Sequence, residues 1–509
     1  MTPSGILVAL CVGFLLAEVY RPLFHSNQNS YLLHALAASG WGHLDGDWLA
    51  GTRDAFPLST WLARGVLAVD ARGLYVLYAA FLVVYALALE RLVRESLPRP
   101  WSLADRGLLA AAIVLLHSPL IRSEYHKGVA GQYLFAGYYQ PCTGGVFLLA
   151  SMALFVDGRV RTALLALALA ASLHSSYLLS AAFLGLAYGV VLLRRGVPWS
   201  RLVAHATLLA LLLTPAAVHA LALSGSFTAD RSVAATARQF LYETLIPYHA
   251  RARLWLFTST QAFVQNALVP AVLIAAGLWL FRRSPVRPLL AIPTGVALVL
   301  LVAQLASDDP LLGLAFPWRI SVVVVPICSA ALLAAVLRWA RDEASRRGVA
   351  PARLTAALAG LVALAILLAA VRTARQRPPI GAATAVSAHA RARRAADQLY
   401  AIPQRPPFEA FRVAAGVRVV ADWKSHPYHP AELLEWKRRR AVALEIEYTA
   451  AIADCAALRR ALAAAPVTHV VLETPGTPEC PDLVSEFRDE HYTLSRVIAA
   501  AELGGRVPP

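Results

Sequence analysis

Between Arg161 and Arg194 the chain reads RTALLALALAASLHSSYLLSAAFLGLAYGVVLLR, 32 residues without a formal charge, broken near the middle by His174-Ser175-Ser176. A helix crossing the hydrocarbon core needs about 20 residues, so the stretch is either one overlong span or a hairpin of two short ones. The choice decides the sidedness of everything after it. Lys and Arg in short loops are retained on the cytoplasmic side. The clusters Arg91/Arg94/Arg99, Arg159/Arg161, Arg194/Arg195/Arg201, Arg282/Arg283/Arg287 and Arg338/Arg341/Arg346/Arg347 share one side only if the His174 region is a hairpin.

With that hairpin the chain has about eleven candidate spans. They lie near residues 4–20, 73–93, 105–121, 141–157, 162–174, 176–193, 203–223, 262–281, 286–306, 317–337 and 351–371. The expected fold is therefore a polytopic α-helical membrane protein, residues 1–371, multi-pass in a bacterial inner (cytoplasmic) membrane with its N-terminus cytoplasmic. External loops fall near 21–72, 122–140, 224–261 and 307–316, the last containing Asp308-Asp309-Pro310. The first apolar block, Ile6 to Val19, has no basic segment before it and no convincing small-residue cleavage site, so it reads as a first span rather than a cleaved signal.

Composition agrees. Hydrophobic residues make up 58% of the 509, charged residues 15%, and the mean hydropathy is +0.56, whereas soluble domains average about 45–50% apolar and about 25% charged. The net charge of +16 is carried almost wholly by arginine, since Lys127, Lys424 and Lys437 are the only lysines among 47 cations. These cations sit in short loops between apolar blocks, without the basic, aromatic-lined groove of a nucleic-acid binder, so no nucleic acid is expected as a partner. Five cysteines without CxxC or Cys/His spacing give no zinc or iron-sulfur motif.

Residues 372–509 read as a separate soluble extracytoplasmic α/β domain, introduced by the linker-like run Arg375-Gln376-Arg377-Pro378-Pro379. Strand-like runs (Val417 to Ala421, Val467 to Glu473) alternate with helical ones (Ala431 to Arg440, Ala451 to Ala464). Its two cysteines, Cys455 and Cys480, are either a disulfide or two buried thiols.

Polar residues concentrate in the first two external loops. The first reads His25-Ser26-Asn27-Gln28-Asn29-Ser30-Tyr31, then Leu44-Asp45-Gly46-Asp47-Trp48-Leu49, then Arg53-Asp54-Ala55-Phe56-Pro57 and Trp61, with residues 30–40 suggesting an amphipathic helix on the membrane surface. This loop resembles that of the GT-C class of polyprenyl-phosphate-dependent membrane glycosyltransferases, in the branch of protein O-mannosyltransferases and aminoarabinose transferases. Tyr31, Gly46-Asp47-Trp48, Pro57 and Trp61 occupy matching places. Where the family carries its proposed catalytic acid this chain has Asn27, and the acidic-Lys-Pro element is replaced by Asp54-Ala55-Phe56-Pro57. The resemblance implies a GT-C fold and transfer of a sugar from a polyprenyl-phosphate carrier to an extracytoplasmic glycan, lipid or protein acceptor. Membrane lipid, lipid-linked sugar and acceptor are then the partners, with a divalent metal left open as cofactor and the oligomeric state undetermined.

Such transfer needs a carboxylate to take the acceptor proton and cations or a metal to stabilise the leaving phosphate. An amide is a poor base, so the candidates are Asp47, Asp45 and Asp54; the other reading of Asp47 is a cap on the turn before Trp48. Phosphate ligands are sought among Arg122, His126 and Lys127 of the second loop and Arg319 at the start of a later span, where the alternative is snorkelling to bulk headgroups. Asn27, Tyr31, Gln132, Tyr139 and His174 are candidates for sugar contacts. The alternatives are an interfacial aromatic belt for the Gln132 to Tyr139 run and a structural role for His174. In the tail, Asp422-Trp423-Lys424-Ser425-His426 follows a predicted strand, where ligands gather in α/β units, so Asp422, Lys424 and His426 are acceptor-site candidates, or else a packing loop. Two other functions stay open: a transporter or flippase of a lipid-linked glycan, and a non-catalytic relative in envelope assembly.

Overall fold

The structure, a computed structural model, describes residues 2–19, 21–97, 101–375, 383–474 and 479–498. Of the linker-like run only Arg375 lies within them, and Arg99 of the first basic cluster lies outside. The His174 stretch is a hairpin. Helix Val160–Leu173 stops at His174, whose extended backbone (φ −150°, ψ 109°) turns the chain, and a short 3₁₀ turn Ser175–Tyr177 leads into helix Leu178–Arg194. The imidazole itself caps the turn, with Ser176 donating its amide and its hydroxyl lying 2.7 Å from Nδ1.

Two compact units emerge. Unit 1 comprises residues 1–21, 74–221 and 238–375; unit 2 comprises 22–73, 222–237 and 376–509. Unit 1 is built of helices that occupy the apolar stretches of the sequence, among them Pro3–Glu18, Leu103–Leu116, Val269–Leu280, Arg287–Ser307, Ser321–Arg346 and Pro351–Arg375. Six helical runs among the described residues are long and apolar enough to cross a bilayer, and further apolar helices are shorter. The protein is thus polytopic and α-helical, with one small sheet near its C-terminal end.

The core of unit 1 runs along Ser321–Arg346, where residues Val322 to Ala331 are buried without interruption. Small residues allow helices to approach closely there: a Cβ on Gly277 would fall 2.4 Å from the Cys328 side chain. At the other end of the bundle Ser102 and Asp105 form a reciprocal capping box, and Asp105 also accepts from Arg341 at 2.9 Å.

Unit 2 holds a five-stranded sheet in the order β2-β1-β3-β5-β4. Its strands are β1 (Leu399–Ala401), β2 (Arg418–Val419), β3 (His469–Glu473), β4 (Leu483–Arg488) and β5 (Tyr492–Val497). β1 pairs in parallel with β2 and β3, while β3/β5 and β4/β5 are antiparallel. Aromatic residues Tyr400, Phe408, Phe411 and Tyr492 fill one core cluster, and aliphatic residues of helices Pro430–Ala451 and Cys455–Ala463 fill another with Val470 and Leu472.

Residues 22–73 fold into this same unit rather than forming a linker. Where the sequence suggests one surface helix over residues 30–40, the chain forms two short helices, Gln28–Tyr31 and Leu33–Ala38, whose Leu33, Ala35 and Leu36 are buried in protein. At Gly42 (φ +59°) and Gly416 (φ +67°) two backbones meet: a Cβ on Gly42 would lie 2.3 Å from the Gly416 carbonyl oxygen. His43 donates its amide to that oxygen at 2.9 Å, and the Trp41 indole donates to the Val413 carbonyl at 2.9 Å. Only glycine fits a left-handed backbone at so close an approach.

Cys455 and Cys480 are joined, with Cα atoms 5.5 Å apart and a sequence separation of 25. Closing a loop of that length removes chain entropy from the unfolded state, so Cys455→Ser should cost about 3 kcal/mol. In thermal proteolysis of the full-length protein in detergent, the midpoint for unit 2 should fall, and dithiothreitol should lower the wild type to the same point without shifting the variant further. A wild type indifferent to reductant would refute this.

Candidate functional site

Polar groups gather around Arg412 in unit 2 and around Arg319 in unit 1. In unit 2 the centre is Arg412, on the short helix Phe411–Ala415. Its Nε donates to Asp47 Oδ2 at 3.1 Å and its Nη1 donates to Asp422 Oδ2. All three side chains are almost wholly buried. Burial opposes the charge on Arg412, but Asp47 and Asp422 outweigh it and hold the guanidinium above its ordinary pKa. Backbone amides complete the shell: Leu49 N donates to Asp47 Oδ1 and Val419 N to Asp47 Oδ2, both at 2.9 Å, while Lys424 N and Ser425 N donate to Asp422 Oδ1. A fork between two carboxylates is a geometry that only arginine supplies.

Around this triad the structure brings together several residues singled out from the sequence. The Lys424 ammonium donates to Ser26 Oγ, one residue before Asn27 in the first segment, and to Glu409 Oε2. Ser30 Oγ donates to Ser425 Oγ at 2.9 Å. Tyr31 packs edge-on against Phe56, and Phe56 against Tyr428. His426 is held neutral by burial and lies against Tyr428 and Trp436. Arg439 stacks 4.4 Å over Trp48. Of the three aspartates, Asp47 has both oxygens engaged, Asp54 is half-buried with Oδ1 accepting from Phe56 N at 2.8 Å, and Asp45 is exposed.

In unit 1 the centre is Arg319, in the 3₁₀ turn Pro317–Ile320 that precedes helix Ser321–Arg346. Its guanidinium lies 5.1 Å over the Tyr177 ring, and its charge acts on Tyr133, His174 and His249. Burial, aided by Arg319, pushes His174 well below its ordinary pKa and His249 down to about 4, so both imidazoles are neutral. Burial raises Tyr133 to about 12. The loop carrying Gln132 is pinned beside Arg319: Val129 N donates to Ser321 Oγ at 2.8 Å, and Gly128 N donates to the Gln132 carbonyl at 2.7 Å. Tyr139 is buried with its ring edge-on to Phe81.

The segment bearing His249 is held by a network unrecognised in the sequence. Tyr242 donates its hydroxyl to Asp308 Oδ1 at 2.7 Å and accepts from Gln304 Nε2 at 2.7 Å, and Arg251 pairs with Asp308 Oδ2 at 3.1 Å. Tyr242 lies in a π-helical turn, Leu241–Leu245, and Asp308 in the left-handed region (φ +50°), two uncommon backbones of the kind that collect near functional sites.

The remaining candidates of the second loop have other company. Arg122 pairs with Glu124, and Lys127 follows the His126 imidazole, which packs 4.7 Å from His117 and is pushed down to about 3, chiefly by burial. His117 in turn lies 3.3 Å from Glu18 and 2.9 Å from the Tyr85 hydroxyl. Glu18 is a buried carboxylate that ends a largely apolar first helix, and that anomaly is the signal by which it could have been found. Arg412 had none, standing among ordinary apolar residues. Among the described residues no group of three or more His, Cys, Asp or Glu side chains is arranged to hold a metal ion.

Comparison with known proteins matches residues 382–443 to a family described as Domain of unknown function (DUF6798). No curated protein sequence matches the chain. Among solved structures the chain is similar to ArnT from Cupriavidus metallidurans bound to undecaprenyl phosphate, at 13% identity and a TM-score of 0.49, over 98% of each chain. It is also similar to the oligosaccharyltransferase of Archaeoglobus fulgidus in the apo form, at 11% identity and a TM-score of 0.45, over 92% of this chain and 69% of that one. The archaeal oligosaccharyltransferase AglB from Archaeoglobus fulgidus, in complex with an inhibitory peptide and a dolichol-phosphate, is similar at 12% identity and a TM-score of 0.43, with the same coverage.

Proposed function

We propose that this protein is an integral-membrane glycosyltransferase that moves a sugar from a polyprenyl-phosphate carrier to an extracytoplasmic glycan, lipid or protein. The observation that carries the reading is Arg319, a guanidinium at the start of an apolar helix, surrounded by Tyr133, Tyr177 and two imidazoles kept neutral. A fixed cation among neutral hydrogen-bonding groups suits a lipid phosphate, whose negative charge grows as the glycosidic bond breaks. The disulfide of unit 2 supports an oxidising compartment for that unit and hence an N-terminus on the cytoplasmic side.

The two units divide the work. Unit 1 handles the donor through Arg319, with Gln132, Tyr139 and His174 near the sugar and the Arg122 and Lys127 cations attracting the anionic carrier. Unit 2 handles the acceptor through the segment around Tyr31, Lys424 and His426. Asp47 and Asp422 act by fixing that segment through Arg412, which leaves Asp45 and Asp54 as the carboxylates able to accept the acceptor proton.

Mass spectrometry of polyprenyl-linked sugars and envelope glycans in a deletion strain tests this. A lipid-linked sugar should accumulate and one glycan residue should disappear, and wild type should restore both. Asp45→Asn or Asp54→Asn, expressed at normal level, should restore transfer at least 100-fold less well, as loss of a general base does. An unchanged profile in the deletion strain would sink the transferase; normal profiles with both variants would sink only the base.

A further inference from the structure

We infer that the sugar on the carrier is uncharged and that Gln132 binds two of its hydroxyls. This rests on Arg319 as the phosphate site. Gln132 is 2% exposed, yet neither its Oε1 nor its Nε2 has a hydrogen-bond partner. Buried amides are nearly always satisfied, and an unsatisfied one costs stability. The amide is not there by slack packing. The two residues before it, Ala130 (φ +58°) and Gly131 (φ +63°), both take left-handed backbones, and the loop is tied to Ser321, whose hydroxyl also donates to the Trp318 carbonyl.

The surroundings match the same ligand. Ala130 packs with Trp255 and Trp318, whose rings meet edge to face at 5.4 Å and whose indole nitrogens also lack partners. An amide offers one acceptor and two donors, which complement a pair of neighbouring hydroxyls, each both donor and acceptor. Indole faces pack against the C–H faces of a sugar ring, and indole N–H groups add donors.

Charge decides the class. Arg319 is balanced by the carrier phosphate, and the groups it acts on, Tyr133, His174 and His249, are all neutral. An ammonium on the sugar would meet the Arg319 cation and these buried neutral groups, and the carboxylate of the His249 network, Asp308, is already engaged by Tyr242 and Arg251. A carboxylate on the sugar would compete with the phosphate for Arg319. An uncharged hexose or pentose meets neither penalty.

The test is equilibrium binding to the full-length protein in nanodiscs, using undecaprenyl phosphate alone and carrying glucose, galactose, mannose or 4-amino-4-deoxyarabinose. At least one neutral-sugar lipid should bind about tenfold more tightly than the bare lipid, and the amino-sugar lipid no more tightly. Gln132→Leu should abolish the tenfold gain while bare-lipid affinity stays within twofold. Should that variant fold poorly, Gln132→Met, of similar length, provides the same comparison. A gain for the amino sugar, no gain for any neutral sugar, or a gain that survives both substitutions would overturn the inference. Bare-lipid affinity indifferent to Arg319→Ala would instead overturn the phosphate site on which it rests.

Discussion

Arg412→Ala should lower the stability of unit 2 by about 3–5 kcal/mol, because it strands two buried carboxylates that face one guanidinium. Asp47 and Asp422 are both nearly inaccessible, so neither can recover its hydration without opening the fold. Asp47→Asn should cost less, since the amide oxygen keeps one backbone donor and the Arg412–Asp422 pair remains. Arg412→Lys should fare little better than alanine, because one ammonium cannot reach two carboxylates as a planar fork does. Thermal proteolysis of the full-length protein gives the ranking, and a double-mutant cycle of Asp47→Asn with Arg412→Ala should reveal a coupling above about 1 kcal/mol. A wild-type midpoint for Arg412→Ala would mean the triad is dispensable.

Arg319→Ala should reduce sugar transfer by roughly 100- to 1000-fold, the usual penalty for removing one preorganised charge from a developing anion. The same substitution should weaken binding of undecaprenyl phosphate while leaving the melting of unit 2 unchanged, because Arg319 belongs to unit 1. Arg319→Lys separates charge from shape. It keeps the cation but loses the planar stack on Tyr177, so carrier affinity should recover more than turnover does. Full activity in the alanine variant would remove Arg319 from the reaction.

How much of this was legible in the sequence depended on whether the deciding interaction was local. The hairpin at His174 followed from counting charges on either side of it, and β2 and β3 lay inside the two runs that read as strands. β1 is three residues long and acquires its identity only from two parallel neighbours, so no local pattern could announce it. β4 buries none of its six side chains and reads as loop. Asp47 was conspicuous as a carboxylate in an aromatic loop, but its burial depends on Arg412 and Val419, remote in sequence. Gln132 stands out in the sequence as an amide in an aromatic run, whereas His249 and Trp255 reach its loop only through tertiary packing.

The joining of residues 22–73 to the far end of the chain has a consequence for biosynthesis. Asp47 and Arg412 are 365 residues apart, and a ribosome adding roughly 5–20 residues per second needs roughly 20–70 s to make the second after the first. Through that interval the nascent segment must wait with its carboxylate unmatched and Phe56, buried in the finished protein, without Tyr428 to pack against. A nascent chain stalled before residue 412 should therefore be cut by protease within 22–73, and the released 509-residue chain should resist.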